Sequence, residues 1–463
     1  MADLWTSEEI AKATGGSVSA AFAVSGVAFD SREVSDGDLF IAMKGEATDG
    51  HRFVDKAFAQ GAAGAIVSEA VEYPHVLVAD TTRALEALGE ASRARMMGKV
   101  IGVTGSVGKT GTKEALFQAL ERSNPGAVHR SVKSYNNHVG VPLSLARMPR
   151  GSAFGVFEMG MNHEGELSVL TQMVRPDVAI VTAIAPAHIE FFGTEAAIAQ
   201  AKAEIFEGLE SGGTAIIPYD SPHVETLYAK ASAYAERVLT FGLEEGADVR
   251  ATEAVSASNG GTLVTASLPD AELCFTVAAP GDHWVSNALA VLAAVDAAGG
   301  DLAAAGLALA EMPGLPGRGE RCILAVEGGQ ALLIDESYNA NPLSMAATLK
   351  QLGREEADRR IAVLGAMREL GHLSDDLHAG LAAPLGEGQV DYAILVGEEM
   401  APLASALKGV MAFDHVADAA AATGLLEAEV RAGDAILIKG SNGVGLSRTV
   451  AALSARARRK ETE

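Results

Sequence analysis

Cysteine is nearly absent from this chain. Cys274 and Cys322 are the only two in 463 residues, and they lie far apart. That spacing excludes a disulfide framework and a thiolate metal cluster, and it suits a reducing compartment. Aromatic residues supply only 5% of the chain although 48% of it is hydrophobic, so the core is aliphatic and rich in Ala, as in a soluble, helix-rich globular protein. Basic residues are also short: 36 Lys and Arg stand against 60 Asp and Glu, a net charge of −24. Nucleic acid is thereby excluded as a partner, because a phosphate backbone needs a basic footprint. Any anionic ligand must be captured by local groups against the overall field. No stretch reaches the roughly 18 apolar residues of a membrane span. The opening MADLWTSEEIAKATGG has neither the basic nor the apolar region of a secretory signal. No membrane insertion and a cytoplasmic location are therefore expected.

What is present is most informative at KVIGVTGSVGKTGTKEAL, residues 99–116. An apolar run ends in Gly105-Ser106-Val107-Gly108, and Lys109-Thr110 open a helical pattern. Strand, glycine loop and helix N-terminus together form an anion cradle, in which backbone N–H groups face phosphates, Lys109 adds a point charge and the Thr110 hydroxyl is placed for Mg²⁺. Val103 stands where the usual pattern has its first glycine. The reading is an ATP- or GTP-binding loop.

The length exceeds a single core and predicts several domains. Residues 1–80 read as a small α/β domain, with strands at 26–30, 38–42, 65–68 and 76–78 and a helix at 52–60. Its polar clusters are Asp30-Ser31-Arg32 and Lys44-Gly45-Glu46 with Asp49-Gly50-His51. Residues 81–316 alternate strands (100–104, 154–159, 178–183, 215–218) with helices (109–121, 163–174, 195–210, 222–234), which predicts parallel βαβ units. A β-rich patch at 248–278 and a helix at 286–298 follow, and the Pro- and Gly-rich segment 312–317 reads as a hinge. Residues 317–463 alternate again, with strands at 331–335, 361–364, 393–396 and 435–439, as in a smaller doubly wound domain.

In open parallel sheets ligands sit beyond the carboxyl ends of the strands. The phosphate loop, Glu158 and His188 all fall at such ends, so a carboxylate and an imidazole are candidate Mg²⁺ and substrate ligands. Lys202 lies inside a helical pattern that by itself does not bring it to that rim. Arg318 follows the hinge, where it could reach a phosphate on domain closure. Asp335 ends a strand before an Asn-rich turn and Pro342, an arrangement suited to ribose hydroxyls, and 438–443 likewise ends a strand in a polar loop. On these residues alone, an enzyme and a nucleotide-driven conformational switch both remain open.

Nine motifs in all carry the pattern almost end to end: DSR (30–32), DGHRF (49–53), TGSVGKT (104–110), YNNHVGVPLSL (135–145), EMGMN (158–162), APAHIEFFGT (185–194), AKAEIF (201–206), DESYNANP (335–342) and KGS (439–441). In these the chain resembles the Mur ligases of bacterial cell-wall synthesis. The combination of YNN-x-x-GVP, EMG-x-N and SYNANP is similar to the member that joins D-alanyl-D-alanine to UDP-N-acetylmuramoyl-tripeptide. Ligases of the same fold, such as the one adding the third amino acid, are the rival reading. The family's DMKELG-like motif appears here as GAMRELG, with Ala366 in the acidic position.

The resemblance implies an α/β fold of three domains: a small N-terminal α/β domain, a central P-loop-type parallel sheet with helices on both faces, and a C-terminal Rossmann-like domain. It implies ATP held by Gly105, Ser106, Val107, Gly108, Lys109, Thr110, Gly111, Asn287 (adenine), Arg318 (phosphate) and Asp335 (ribose). It implies two Mg²⁺ ions, one at Thr110 and Glu158 and one at His188, with Lys202 carrying a CO₂-derived carbamate that faces metal. Lys109, His188, Lys202 and Arg318 would serve catalysis. Ser31, Arg32, Asp49, Gly50 and His51 would hold the uridine nucleotide end, and Asn136 and Asn137 would line the path of the peptide. Tyr338, Asn339, Asn341, Lys439 and Ser441 complete the implied substrate contacts, on a monomeric cytoplasmic enzyme.

Overall fold

The computed structural model describes residues 3–45, 48–257, 260–312 and 314–462. Glu46 and Pro313, in the loop and hinge read above, lie outside the described residues. Three sheets organise the chain. The first, of five strands, takes its strands from between Ser17 and Leu77; the middle one, of nine, from between Lys99 and Val277; the third, of six, from between Glu320 and Lys439. Among the described residues no helix is long and apolar enough to cross a membrane.

The middle sheet carries the phosphate loop. From one edge its strands are Ala271–Val277, Thr262–Leu268, Val249–Ser256, Arg237–Gly242, Thr214–Pro218, Val178–Val181, Lys99–Thr104, Phe154–Glu158 and Val128–Arg130. Pairing is parallel from Val128–Arg130 through Val249–Ser256, as the alternation predicts. The β-rich patch is an antiparallel meander that extends this same sheet. Lys99–Thr104 lies between Val178–Val181 and Phe154–Glu158, so the chain leaves its first strand in one direction and returns on the other side. That makes the carboxyl end of Lys99–Thr104 a topological switch point, the position where open α/β sheets bind ligands. The shortage of aromatics shows in the core: the helix Asp282–Ala297 is buried along most of its length and fills its face of the sheet with Val, Leu and Ala.

Predicted helix extents shift in several places: 286–298 begins at Asp282, 222–234 narrows to Val224–Ala231, and two further differences bear on the site. The segment 195–210 is an α-helix only over Glu195–Ala203 and then tightens into a 3₁₀ turn, Glu204–Gly208. The tightening lets the Glu204 carboxylate accept the N–H groups of Gly165 and Ser168, orphan donors at the start of the helix Glu166–Val174. That helix begins at Glu166 rather than 163 because Gly165, at φ 85°, forms its cap.

The helix Thr81–Arg95, capped by Asp80, packs on Ser7–Thr14 of the first domain and on Gly140–Ala146 of the middle one. Gly89 permits the second contact, since a Cβ there would lie 3.1 Å from the Pro142 backbone. In the third sheet a hairpin, Glu320–Val326 with Gly329–Glu336, is followed by the parallel strands Asp434–Lys439, Arg359–Gly365, Tyr392–Val396 and Ala412–Val416. One apolar cluster runs from the middle domain into the third, so the two share a packed boundary.

Candidate active site

The phosphate loop follows directly from local packing. Val103 is fully buried and pairs in register with Glu158 on one side and Ile180 on the other. It is a core strand residue, which is why the glycine of the usual pattern is not needed there. Gly105 is needed: its φ is 149°, and a Cβ would sit 2.0 Å from Thr182 Oγ1. Ser106 fastens the loop to the next strand end, its N–H donating to the Ala183 carbonyl at 2.7 Å and its hydroxyl to that of Ala185 at 3.0 Å. Gly108, at φ 88°, caps the helix Lys109–Ser123. Lys109 Nζ donates to the Gly105 carbonyl at 2.5 Å, so the ammonium closes over its own loop.

Beneath the loop the Thr110 hydroxyl donates to Glu158 Oε2 at 2.9 Å, and Asn136 Nδ2 donates to Glu158 Oε1 at 2.8 Å. Because the Thr110 proton is committed to Glu158, its oxygen lone pairs are free for a cation. His188 sits at φ 60°, with Nδ1 in ion-pair contact with the carboxylate of Glu369 from the third domain. Burial lowers the imidazole pKa, opposed by Glu369 and reinforced by Lys109 and Lys202.

Lys202, which the sequence pattern could not place, lines the same cavity. It is 1% exposed, in the last turn of Glu195–Ala203. Among the described residues no carboxylate pairs with it. Burial, and then the neighbouring Lys109, push its amine well below the ordinary lysine range.

The third domain supplies the opposite wall. The Arg318 guanidinium lies 4.4 Å from the centre of the Tyr338 ring and 3.5 Å from Ser134 Oγ. Lys439 is buried, donating to Glu336 Oε2 at 3.2 Å and to the Asn339 carbonyl at 3.1 Å. Between the walls lies a cavity of about 570 Å³, the size of a small-molecule site. Ser106, Val107, Gly108, Lys109, Gly111, Asn136, Glu158, His188, Lys202, Asn287, Arg318, Tyr338, Asn339, Asn341 and Lys439 all line it.

Other candidates stand elsewhere. Asp335 does not line the cavity: its carboxylate accepts the N–H groups of Gly317 at 2.9 Å and Ser337 at 3.0 Å, bracing the hinge, and its neighbour Glu336 lines the cavity. Asn137 caps the turn into Gly140–Ala146, and Ser441 Oγ accepts the Arg368 N–H. Ser31, Arg32, Asp49, Gly50 and His51 belong to the first domain and do not line this cavity. There Arg32 pairs with Asp30, while His51 Nδ1 meets Asp49 at 2.6 Å and its Nε2 accepts the Ser68 N–H at 2.9 Å. Sequence reasoning passed over Ser134, His283, Trp284 and Glu336, which also line the cavity. Trp284 was findable, being one of only two tryptophans.

The donor set fits the implied ions. Among the described residues no three His, Cys, Asp or Glu side chains converge into a ready-made cage. Mg²⁺ does not require one: it is held by one or two carboxylates together with substrate phosphates, and Thr110 with Glu158 offers such a half-site below the loop. Lys202 fits carbamylation, as an unpaired amine held towards its neutral form on the cavity wall.

Comparison with known proteins agrees with this geometry. Residues 23–96, 103–295 and 318–442 match, in turn, the Mur ligase family catalytic domain, the Mur ligase middle domain and the Mur ligase glutamate ligase domain. The UDP-N-acetylmuramoyl-tripeptide–D-alanyl-D-alanine ligase of Bacillus subtilis is 34% identical over 438 residues, covering 92% of each chain. The enzyme of that name from Escherichia coli K12 is 34% identical, covering 92% of this chain and 93% of its own. MurF from Acinetobacter baumannii superposes with a TM-score of 0.84 at 30% identity, over 97% of this chain and 98% of that one. MurF ligase from Thermotoga maritima in complex with ADP gives 0.77 at 27% identity, over 94% and 98%. Three matched domains in order, and relatives alike over nine-tenths of their length, show that this chain belongs to the Mur ligase family.

Proposed function

We propose that the protein is an ATP-dependent ligase that joins D-alanyl-D-alanine to UDP-N-acetylmuramoyl-tripeptide, the last cytoplasmic step towards the pentapeptide precursor of peptidoglycan. The observation that carries this reading is the single cavity in which a phosphate loop, a buried carboxylate, an unpaired lysine and an arginine from another domain face one another.

Joining a carboxylate to an amine in water needs activation. The γ-phosphoryl group of ATP passes to the tripeptide's terminal carboxylate, giving an acyl phosphate. The free amine of the dipeptide attacks that carbonyl, and phosphate leaves. Anionic reactants repel, so positioning and charge neutralisation do most of the work. Lys109, released from the Gly105 carbonyl, meets the phosphates, and Arg318 meets them from the opposite wall. Thr110 and Glu158 would hold one Mg²⁺, and His188 with carbamylated Lys202 a second; bound there, the ions neutralise charge on the phosphate oxygens. Asn287 contacts adenine. Tyr338, Asn339, Asn341, Lys439 and Ser441 serve the substrate side of the third domain, Asn136 and Asn137 the path of the peptide. Ser31, Arg32, Asp49, Gly50 and His51 take the uridine nucleotide end. A wall built from two domains excludes the water that would hydrolyse the acyl phosphate.

The test is phosphate release with ATP, UDP-N-acetylmuramoyl-tripeptide and D-alanyl-D-alanine, each omitted in turn. Release must require all three, and a new amide must appear by mass. Release that ignores both acceptors would overturn the reading.

A further inference from the structure

The helix after the phosphate loop buries a second lysine that the chemistry above does not use. Lys113 is one turn beyond Lys109, has no exposed surface and does not line the cavity. Its Nζ donates to the Lys133 carbonyl at 2.6 Å and lies 3.0 Å from Glu114 Oε1 and 4.0 Å from Glu158 Oε2. Burying an ammonium is costly unless its partners compensate. Glu114 supplies the countercharge, its Oε1 facing Lys113 at 3.0 Å while its Oε2 takes Arg130 at 2.9 Å.

The Lys133 carbonyl takes a further N–H of the same ammonium. Lys133 is in the left-handed region, at φ 55°, an uncommon conformation for a side chain of its size. It leads a segment that touches all three domains. The Lys133 ammonium pairs with Glu33 of the first domain, whose carboxylate also accepts the Tyr135 hydroxyl at 3.0 Å. Ser134 Oγ stands 3.5 Å from both Thr110 Oγ1 and the Arg318 guanidinium. Asn136 donates to Glu158. Lys113, fully buried, thus grips this segment by its backbone and at the same time lies 4.0 Å from the Glu158 carboxylate.

We infer that Lys113 is a positioning residue for the ligation: by holding the Lys133 carbonyl under Glu158 it fixes the carboxylate, Ser134 and Asn136 against the phosphate loop. The inference rests on the ligase reading for its reaction only; its binding test stands apart.

The experiment compares wild type, Lys113→Met and Lys113→Gln in the full chain, alone and combined with Glu158→Gln. Met keeps the length and removes the charge, whereas Gln still offers the Lys133 carbonyl a donor. Lys113→Met should lower kcat at least tenfold with KM for D-alanyl-D-alanine unchanged, and Lys113→Gln should recover part of the loss. In the Glu158→Gln background, Lys113→Met should cost less than twofold more. By calorimetry without substrates, ADP affinity in EDTA should be unchanged, while the gain on adding Mg²⁺ should shrink at least fivefold. An unchanged kcat, equal losses in both backgrounds, or an intact Mg²⁺ gain would overturn the inference. So would failure of both variants to fold, which would make Lys113 a folding residue. A wild type that binds Mg²⁺-ADP but ligates nothing would sink the ligase reading and leave the binding result to decide Lys113.

Discussion

Gly108 and Asn287 touch so closely that neither leaves room for the other to grow: a Cβ on Gly108 would meet Asn287 Oδ1 at 2.8 Å. The contact joins the phosphate loop to the long helix Asp282–Ala297, so the group proposed for adenine and the group proposed for phosphates share one atom-scale gap. Gly108→Ala has the added burden of φ 88°, worth about 1 kcal/mol or more for a residue with a side chain. The expected result is at least tenfold weaker ATP binding with little change in the dipeptide KM, read from steady-state phosphate release.

The bond from Thr110 to Glu158 predicts a difference between two conservative changes. Thr110→Ser retains the hydroxyl and should keep most of the activity. Thr110→Val keeps the shape, loses the donor and the lone pairs, and should cost about 100-fold in kcat, the scale seen when a single preorganised polar group at a reacting charge is removed. Equal activities for the two variants would remove Thr110 from the chemistry.

Lys202 sets function against stability. An unpaired buried amine weakens the fold, so Lys202→Met should raise the melting temperature by a few degrees while all but abolishing turnover. Lys202→Ala, which leaves space beside His188, should regain part of its activity with short carboxylic acids such as acetate or propionate. A variant indifferent to substitution and to added acid would exclude Lys202 from the site.

His129 gives a pH dependence. Burial, with Arg147 and Arg130 nearby, holds its imidazole pKa down to about 4 although the Ser144 carbonyl pulls the other way. The folded value lies below the unfolded one, so the unfolded chain binds the proton first and stability falls as pH drops from about 6.5 towards 4. The loss amounts to roughly 3 kcal/mol at most. Melting temperature followed across that window should fall more steeply for wild type than for His129→Gln; equal slopes would show that His129 is not the group involved.

The parts of this architecture that could be read in advance were those with strong local signals. The strand Lys99–Thr104 announces itself by an apolar run closed by glycine, and the alternation that follows specifies a parallel sheet because each crossover must be a helix of sufficient length. The edge strands Val128–Arg130 and Glu320–Val326 carried no such signal: one is three residues long, and the other alternates buried with exposed positions too weakly to stand out. At the site, Glu158 and His188 could be placed from strand ends. Lys202 could not, since nothing in an Ala-rich helix fixes which residue of its last turn faces the cavity. Asp335 was chosen by type, as an acid at a strand end suited to a ribose, and type says nothing of the two backbone N–H groups of the hinge that it accepts here. Lys113 was silent because a lysine in the second turn of a helix ordinarily looks outward.

The boundary running through the cavity has a practical meaning for inhibition. One face belongs to the phosphate loop and the helix behind it, the other to the turn around Tyr338 and the helix starting at Pro342. A small compound lodged against both would act as a wedge, holding the jaws at a spacing unsuited to ligation without resembling a triphosphate. Its grip would come from uncharged surface such as Trp284 and Leu343, so that it need carry no phosphate-like charge of its own.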